Sequence, residues 1–370
     1  MQLFKHKYFT NLIHPTGVYY VKEKFWILFT AWIVIACSSD SVEGNTEYLT
    51  ERMISVYVEN TGQMFFWDNG DGTVAVTYDR RNPMHTNSST SNNYYKGEIV
   101  IPNVITVNDR TLTVTGITEY AFMNCTSLTH VVIPATVKSI GEMAFYNCQL
   151  LESVEIQGSL TEIPDYCFSG CKALRSLTVA GQVKRLGVEA FAKCSALTSL
   201  RVPDGVTTID RNCFQSSGVN YVVLPETLTE LRSLAFNSCK LKEIGVPRQI
   251  TALEDSVFFG CSSLLTAYLP ETLTAIGKGT FGGCRSLIEM DIPASVKQIG
   301  EGCFCSVDAN GKANMKSLIL NVRATEPPVL KGSITNATEY SRIVVPKGYR
   351  VVYMNAPYWS EFTEVMERNY

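Results

Sequence analysis

The chain has little of what metal binding or histidine-based catalysis needs. Its 370 residues hold four histidines, His6, His14, His85 and His130. It has no basic excess, since 18% of residues are charged and the formal net charge is −3. Nucleic-acid binders usually carry a basic face, so nucleic acid is not an expected partner. It has no glycine-rich phosphate loop. It also has no apolar run long enough to span a bilayer, because the longest, Phe25 to Ala36, is twelve residues and a spanning helix needs about 20. What is abundant is apolar material. At 45% hydrophobic residues the chain can build a sizeable core, and disorder is not the default.

The twelve-residue run follows Lys22 and Lys24 and has the length of a signal-peptide core. It ends Val34-Ile35-Ala36-Cys37, followed by Ser38-Ser39-Asp40. That order, with a small residue directly before Cys, resembles a bacterial lipobox. The resemblance implies that Cys37 is lipid-modified and becomes the first residue of the exported chain. Several acyl chains would hold it stably at a membrane, where one would not. The alternative is a plain secretory signal with an incidental cysteine. Residues 1–20, with His14, Pro15 and Gly17, lengthen the leader beyond the usual size and place a candidate translation start near Val21. Loss of residues 1–36 removes four lysines and one glutamate and takes the net charge from −3 to −6.

An internal repeat dominates the rest. Phenylalanine recurs at Phe122, Phe145, Phe168, Phe191, Phe214, Phe236, Phe258, Phe281 and Phe304, at intervals of 22 or 23. Other columns keep the phase. Five residues earlier stands Ile or Leu (Ile117, Ile140, Ile163, Leu186 and onward), and eight earlier Val, Leu or Ile. Three residues later stands Cys in seven of nine turns, with Ser217 and Val307 as exceptions. A short apolar stretch follows (Leu128, Val131, Ile133; Leu151, Val154, Ile156), and many such stretches stop at proline, as at Pro134, Pro203 and Pro225. One such turn cannot bury its apolar side alone. Stacked turns put like columns above one another and share a continuous core. Proline has no N–H for a strand ladder, so it closes each strand. At 4.7–4.9 Å between strands, nine turns extend roughly 40 Å.

The twelve cysteines therefore read as packing rather than as disulfides or metal ligands. A free cysteine is a small, readily buried residue, and one per turn at a fixed inward position is a core column. Cys167, Cys213 and Cys303 take the small slot before Phe that Ala121 and Ala144 hold elsewhere. Disulfides between neighbouring turns remain an alternative in an exported protein. No zinc site is expected, because the close pairs lack a second pair at ligand spacing and lack histidines.

These columns carry a family likeness. LTHVVIPATVKSIGEMAFYNC (Leu128 to Cys148) resembles the BspA-type, or treponemal-type, leucine-rich repeat of bacterial cell-surface lipoproteins, over about residues 95 to 307. Both flanks are similar to that family's caps: Gly72 to Tyr78, Tyr95 to Pro102 and Thr111 to Val114 at the front, and Val344 to Gly348 with Tyr353, Trp359 and Phe362 at the end. The resemblance implies a right-handed leucine-rich-repeat solenoid, β-rich with short or irregular convex segments and strands on the concave side. It would have about nine coils of 22–23 residues, capped at both ends. It also implies a surface protein, with host extracellular matrix among the candidate ligands. The expected division is 1–36 signal peptide, 37–60 lipidated tether, 61–118 N-terminal β cap, 119–308 repeats, and 309–370 irregular last coil and C-terminal cap.

Function in such a scaffold would sit at positions that vary from turn to turn. Strand residues alternating with the core face outward. One outward column reads His130, Ser153, Ser176, Ser199, Tyr221, Glu243, Thr266, Glu289. The next reads Val132, Glu155, Thr178, Arg201, Val223, Gly245, Tyr268, Asp291. Candidate ligand-binding residues are His130, Glu155, Arg201, Tyr221, Tyr268, Glu289 and Asp291, with the two tyrosines as plausible anchors. The bland alternative for each is an ordinary solvated surface. Asp68 to Gly72 has the look of a calcium loop, but glycine fills two ligand positions and a hairpin turn fits better. The expected function is a surface binding or adhesion scaffold for a protein or polysaccharide ligand, anchored at an outer membrane and facing outward. Alternatives are a structural envelope component without an external ligand, and a hydrolase using Glu289 and Asp291. No enzyme activity, catalytic residue, metal or cofactor is expected.

Overall fold

The computed structural model describes residues 48–50, 52–79, 95–305, 318–336 and 341–370. Cys37, the leader, His85, the polar loop from Thr86 and the insertion after Cys305 lie outside those residues.

The chain begins with a β cap. Strands β1 (Tyr48–Thr50), β2 (Met53–Val58), β3 (Gly62–Asp68) and β4 (Thr73–Thr77) form an antiparallel meander. After β5 (Gly97–Val100) and β6 (Val104–Val107) comes β7 (Arg110–Ile117), which pairs antiparallel with β6 and parallel with β4. The cap therefore starts earlier than expected. β1 and β2 fall inside the 37–60 segment read as tether, and β2 buries Met53, Ile54 and Val56. The Asp68 to Gly72 segment is a hairpin turn. Asp68 and Asp71 spend their carboxylates on the backbone N–H groups of Gly70 (2.8 Å) and Thr73 (3.0 Å).

From β7 onward long and short strands alternate. The long strands are β8 (Leu128–Ile133), β10 (Ser153–Ile156), β12 (Ser176–Val179), β14 (Ser199–Arg201), β16 (Tyr221–Val223), β18 (Glu243–Gly245), β20 (Thr266–Tyr268) and β22 (Glu289–Ile292). The short ones, two residues each, are β9 (Ser139–Ile140), β11 (Glu162–Ile163), β13 (Arg185–Leu186), β15 (Thr208–Ile209), β17 (Glu230–Leu231), β19 (Ala252–Leu253), β21 (Ala275–Ile276) and β23 (Gln298–Ile299). A last turn adds β24 (Ile319–Val322) and β25 (Val329–Leu330). The result is a β-solenoid of about ten turns with little helix. Both strand sets form parallel ladders in which like repeat positions pair, as Val154 does with Val131 and Leu186 with Ile163. Period sets that register, because a one-residue slip would turn every inward side chain outward.

The core runs the length of the molecule. All nine phenylalanines are buried, and neighbours stack with ring centroids 4.8–5.9 Å apart. The isoleucine and leucine column projects from the short strands, so the side expected to carry short or irregular segments carries a second ladder of two-residue strands. Between the ladders runs a tight turn around each phenylalanine. Its residues two before and two after Phe hold positive φ in turn after turn, as at Tyr120 (60°), Asn124 (59°), Met143 (53°) and Asn147 (58°). That backbone is unfavourable for non-glycine residues, but it aims N–H groups at the next turn, as from Phe122 to the Ala144 carbonyl (2.7 Å).

The ends differ from the middle. At the front Tyr95 continues the phenylalanine stack, its ring 4.6 Å from that of Phe122. At the back β26 (Arg342–Pro346), a helix α1 (Arg350–Met354), a 3-10 turn (Trp359–Glu361) and β27 (Glu364–Arg368) close the solenoid. Tyr353 and Trp359 are buried there, and each donates to a carbonyl of the last turn, Ala324 and Pro328, both at 2.8 Å.

Candidate functional site

The outward side of the long-strand ladder is the face where side chains differ from turn to turn. Alternation places Val131 and Ile133 of β8 in the core and sends His130 outward, and the same rule holds at β10, β18, β20 and β22. At β12 and β14 it is softer. Leu177, Val179 and Leu200 are only half-buried, and no strand pairing joins β12 to β14. A small, shallow apolar cleft, partly open to solvent, lies there, lined by Leu177, Val179, Leu200, Val202 and Phe191 among others.

All seven candidate residues are exposed on this face, yet they do not converge. His130 stands on β8 with its ring nitrogen 3.0 Å from the Thr129 hydroxyl. Glu155 on β10 accepts from Gln157 (2.9 Å). From β8 to β22 is seven strand spacings, roughly 33 Å. Arg201 on β14 faces Asp204 at 3.2 Å with both side chains mostly solvated, a pair worth little. Tyr221 on β16 is 48% exposed and stands opposite Ser199. Tyr268 on β20 is 62% exposed and stands opposite Gly245 of β18.

Glu289 and Asp291 are more constrained than their positions in the sequence suggest. Asn321 of β24, in register with Asp291 and buried, donates its amide to Glu289 Oε1 and to Asp291 Oδ1, both at 2.8 Å. Arg323 pairs with Asp291 and, at 3.0 Å, with Glu271. Burial opposes ionisation of Asp291, but the Asn321 and Arg323 hydrogen bonds outweigh it and hold the carboxyl below the usual range. A general acid needs the opposite shift, so the geometry gives no support to the hydrolase reading. Asn321 and Arg323 escaped the sequence reading because they belong to the irregular last turn.

The opposite side has its own charge pattern. Arg185 of β13 binds Glu162 (3.0 Å), Asp165 (2.6 Å) and Asp210 (2.9 Å), spanning three turns. Arg232 bridges Glu230 and Glu254, and Lys278 reaches Glu301. These pairs tie turn to turn. Among the described residues no cluster of histidine, cysteine and carboxylate side chains could hold a metal ion.

Two parallel ladders around repeated apolar columns define a β-solenoid of the leucine-rich-repeat class. The BspA-type leucine-rich repeat model matches residues 99–220 and 184–310, in six copies, and the chain belongs to that family. Among solved structures it is similar to a leucine-rich repeat protein from Bacteroides ovatus, at 27% identity and a TM-score of 0.64, over 84% of this chain and 76% of that one. It also resembles in fold a leucine rich cell surface protein from Faecalibacterium prausnitzii, at 20% identity and a TM-score of 0.50, over 90% and 97%. No curated protein matches the chain.

Proposed function

We propose that the protein is a cell-surface lipoprotein that binds a protein or polysaccharide ligand through the outward face of its long-strand ladder. One observation carries the reading. Inward columns repeat from turn to turn, whereas the outward positions, apart from the run Ser153, Ser176 and Ser199, vary along the ladder and present Tyr221 and Tyr268 to solvent. A scaffold held constant beneath a varied face is what recognition needs. The lipobox-like segment ending at Cys37 supports attachment to a membrane by lipid, with the solenoid outside.

The test is a binding panel. The chain from Ser38 onward is passed over host matrix proteins and polysaccharides beside a Tyr221→Ala/Tyr268→Ala variant. Saturable binding that the variant loses is the expected result. Binding to nothing would move the assignment to a structural envelope role. Protease treatment of intact cells tests the location, since complete protection of the solenoid would reject surface display.

A further inference from the structure

The last turns of the strand face hold a second kind of order. Tyr268 has a bare flank, because its register partner is Gly245, where even a Cβ would meet nothing within 4 Å. On its other side β22 runs alongside β20 and presents Glu289 and Asp291. The pair is fixed from beneath by Asn321 and from the side by Arg323. Arg323 also reaches Glu271, three residues beyond Tyr268, which ties the two strands' polar groups together. Asn321 is 2% exposed and its Oδ1 has no hydrogen-bond partner. Past the carboxylates stands a second half-exposed ring, Tyr370. Its hydroxyl donates to the Val344 carbonyl (3.1 Å), and Val344 is in register with Asn321, which is itself in register with Asp291.

We propose that Tyr268, Glu289, Asp291 and Tyr370 form a subsite for a neutral sugar ring of a polysaccharide. This rests on the binding-scaffold reading above and names the ligand class at one end of that face. A pyranose has a C–H face that packs on an aromatic ring and hydroxyl groups that donate to carboxylates at its edge. Both partners stand here side by side. The carboxylates are already ordered by Asn321 and Arg323, so binding need not pay to order them. An anionic glycan meets four carboxylates, Glu243, Glu271, Glu289 and Asp291, against two cations, of which Arg323 is already doubly paired and Arg368 stands at the Tyr370 end. A protein hot spot would need an apolar surround that excludes water. The outward positions beside Tyr268 are instead Thr266, Glu243, Gly245, Glu289 and Asp291, and the exposed Leu265 and Ile288 lie apart at the entrances to β20 and β22.

Affinity electrophoresis of the mature chain tests the assignment. The gels carry mannan, laminarin, amylopectin or galactan as neutral probes, and heparin or polygalacturonate as anionic ones. The expected result is retardation by at least one neutral polysaccharide. Tyr268→Ala should weaken it about tenfold or more, and Tyr370→Ala should weaken it too. Tyr268→Phe should keep it, and Tyr57→Ala should leave it unchanged, since Tyr57 is an equally exposed ring on cap strand β2, outside the binding face. Unchanged melting temperatures establish that the variants are folded. Retardation by no neutral probe, by anionic probes alone, or equally with Tyr268→Ala overturns the sugar subsite. If a matrix protein still binds saturably in that case, the scaffold reading stands and only the sugar assignment falls.

Discussion

The repeat cysteine fills a small slot and also donates. Cys148, Cys171, Cys194, Cys239, Cys261 and Cys284 each direct Sγ at the carbonyl of the phenylalanine one turn back, at 3.0–3.3 Å. A thiol is a weak donor but suits a buried acceptor, and alanine could not serve both needs. Where Ser217 replaces it, the hydroxyl lies 3.4 Å from Cys239 Sγ. Burial pushes the thiols of Cys125, Cys239 and Cys284 up, to about 12 against an ordinary 9.0. The folded chain then keeps protons that the unfolded chain releases. Stability is therefore fully present below about pH 9 and falls as pH rises toward 12, by up to about 1.4 kcal/mol per pH unit for each such thiol. Denaturant midpoints measured across that range should fall, and Cys239→Ala/Cys284→Ala should fall less steeply. At pH 8 iodoacetamide should modify the half-buried Cys305 before any cysteine of the ladder.

At the scale of elements, the caps decide whether the stack is sealed. Tyr95 closes the front of the phenylalanine column while its hydroxyl accepts from the Phe65 N–H (3.1 Å) and donates to the Thr77 carbonyl (2.8 Å). It thus fastens β3 and β4 to the first repeat. Tyr95→Phe keeps the ring and removes both hydrogen bonds, and should cost about 1–3 kcal/mol. Hydrogen exchange should localise the loss to β3 and β4. Equal protection there in both proteins would show that the hydroxyl has no structural role. Tyr95 was legible as part of a cap strand, but its hydrogen-bond partners lie 30 and 18 residues away in sequence and follow no period.

As a whole molecule the solenoid is nearly one-dimensional, each turn touching only its neighbours. Its stability is then limited by the weakest junction. Long-strand pairing stops between β12 and β14, between β16 and β18, and between β20 and β22, and the first is the weakest because there Leu177, Val179 and Leu200 are half-buried while Val154 and Ile156 one turn earlier are closed. Backbone bonds still join those turns at the phenylalanine corner, as from Phe168 to Ala190 (2.9 Å). The long-strand side should therefore open first. Amides of β12 and β14 should exchange before those of β8 and β10, and uniform exchange along the ladder would refute a weak junction.

The sequence alone determined whatever the period repeats: the phenylalanine, isoleucine and cysteine columns, the strand register, and which residues face outward. Each such contact is made again in every turn, so one chain contains its own comparison. Tertiary structure decided what occurs once. The second ladder formed because short strands only pair when stacked. Residues 52–60, read from the sequence as tether, joined the cap because β2 found β3 as a partner. Glu289 and Asp291, equivalent in sequence to any other exposed pair, became a fixed unit because the irregular last turn set Asn321 and Arg323 beside them. Their partners lie 30 to 32 residues onward, outside the 22–23-residue step, so no column pointed to them.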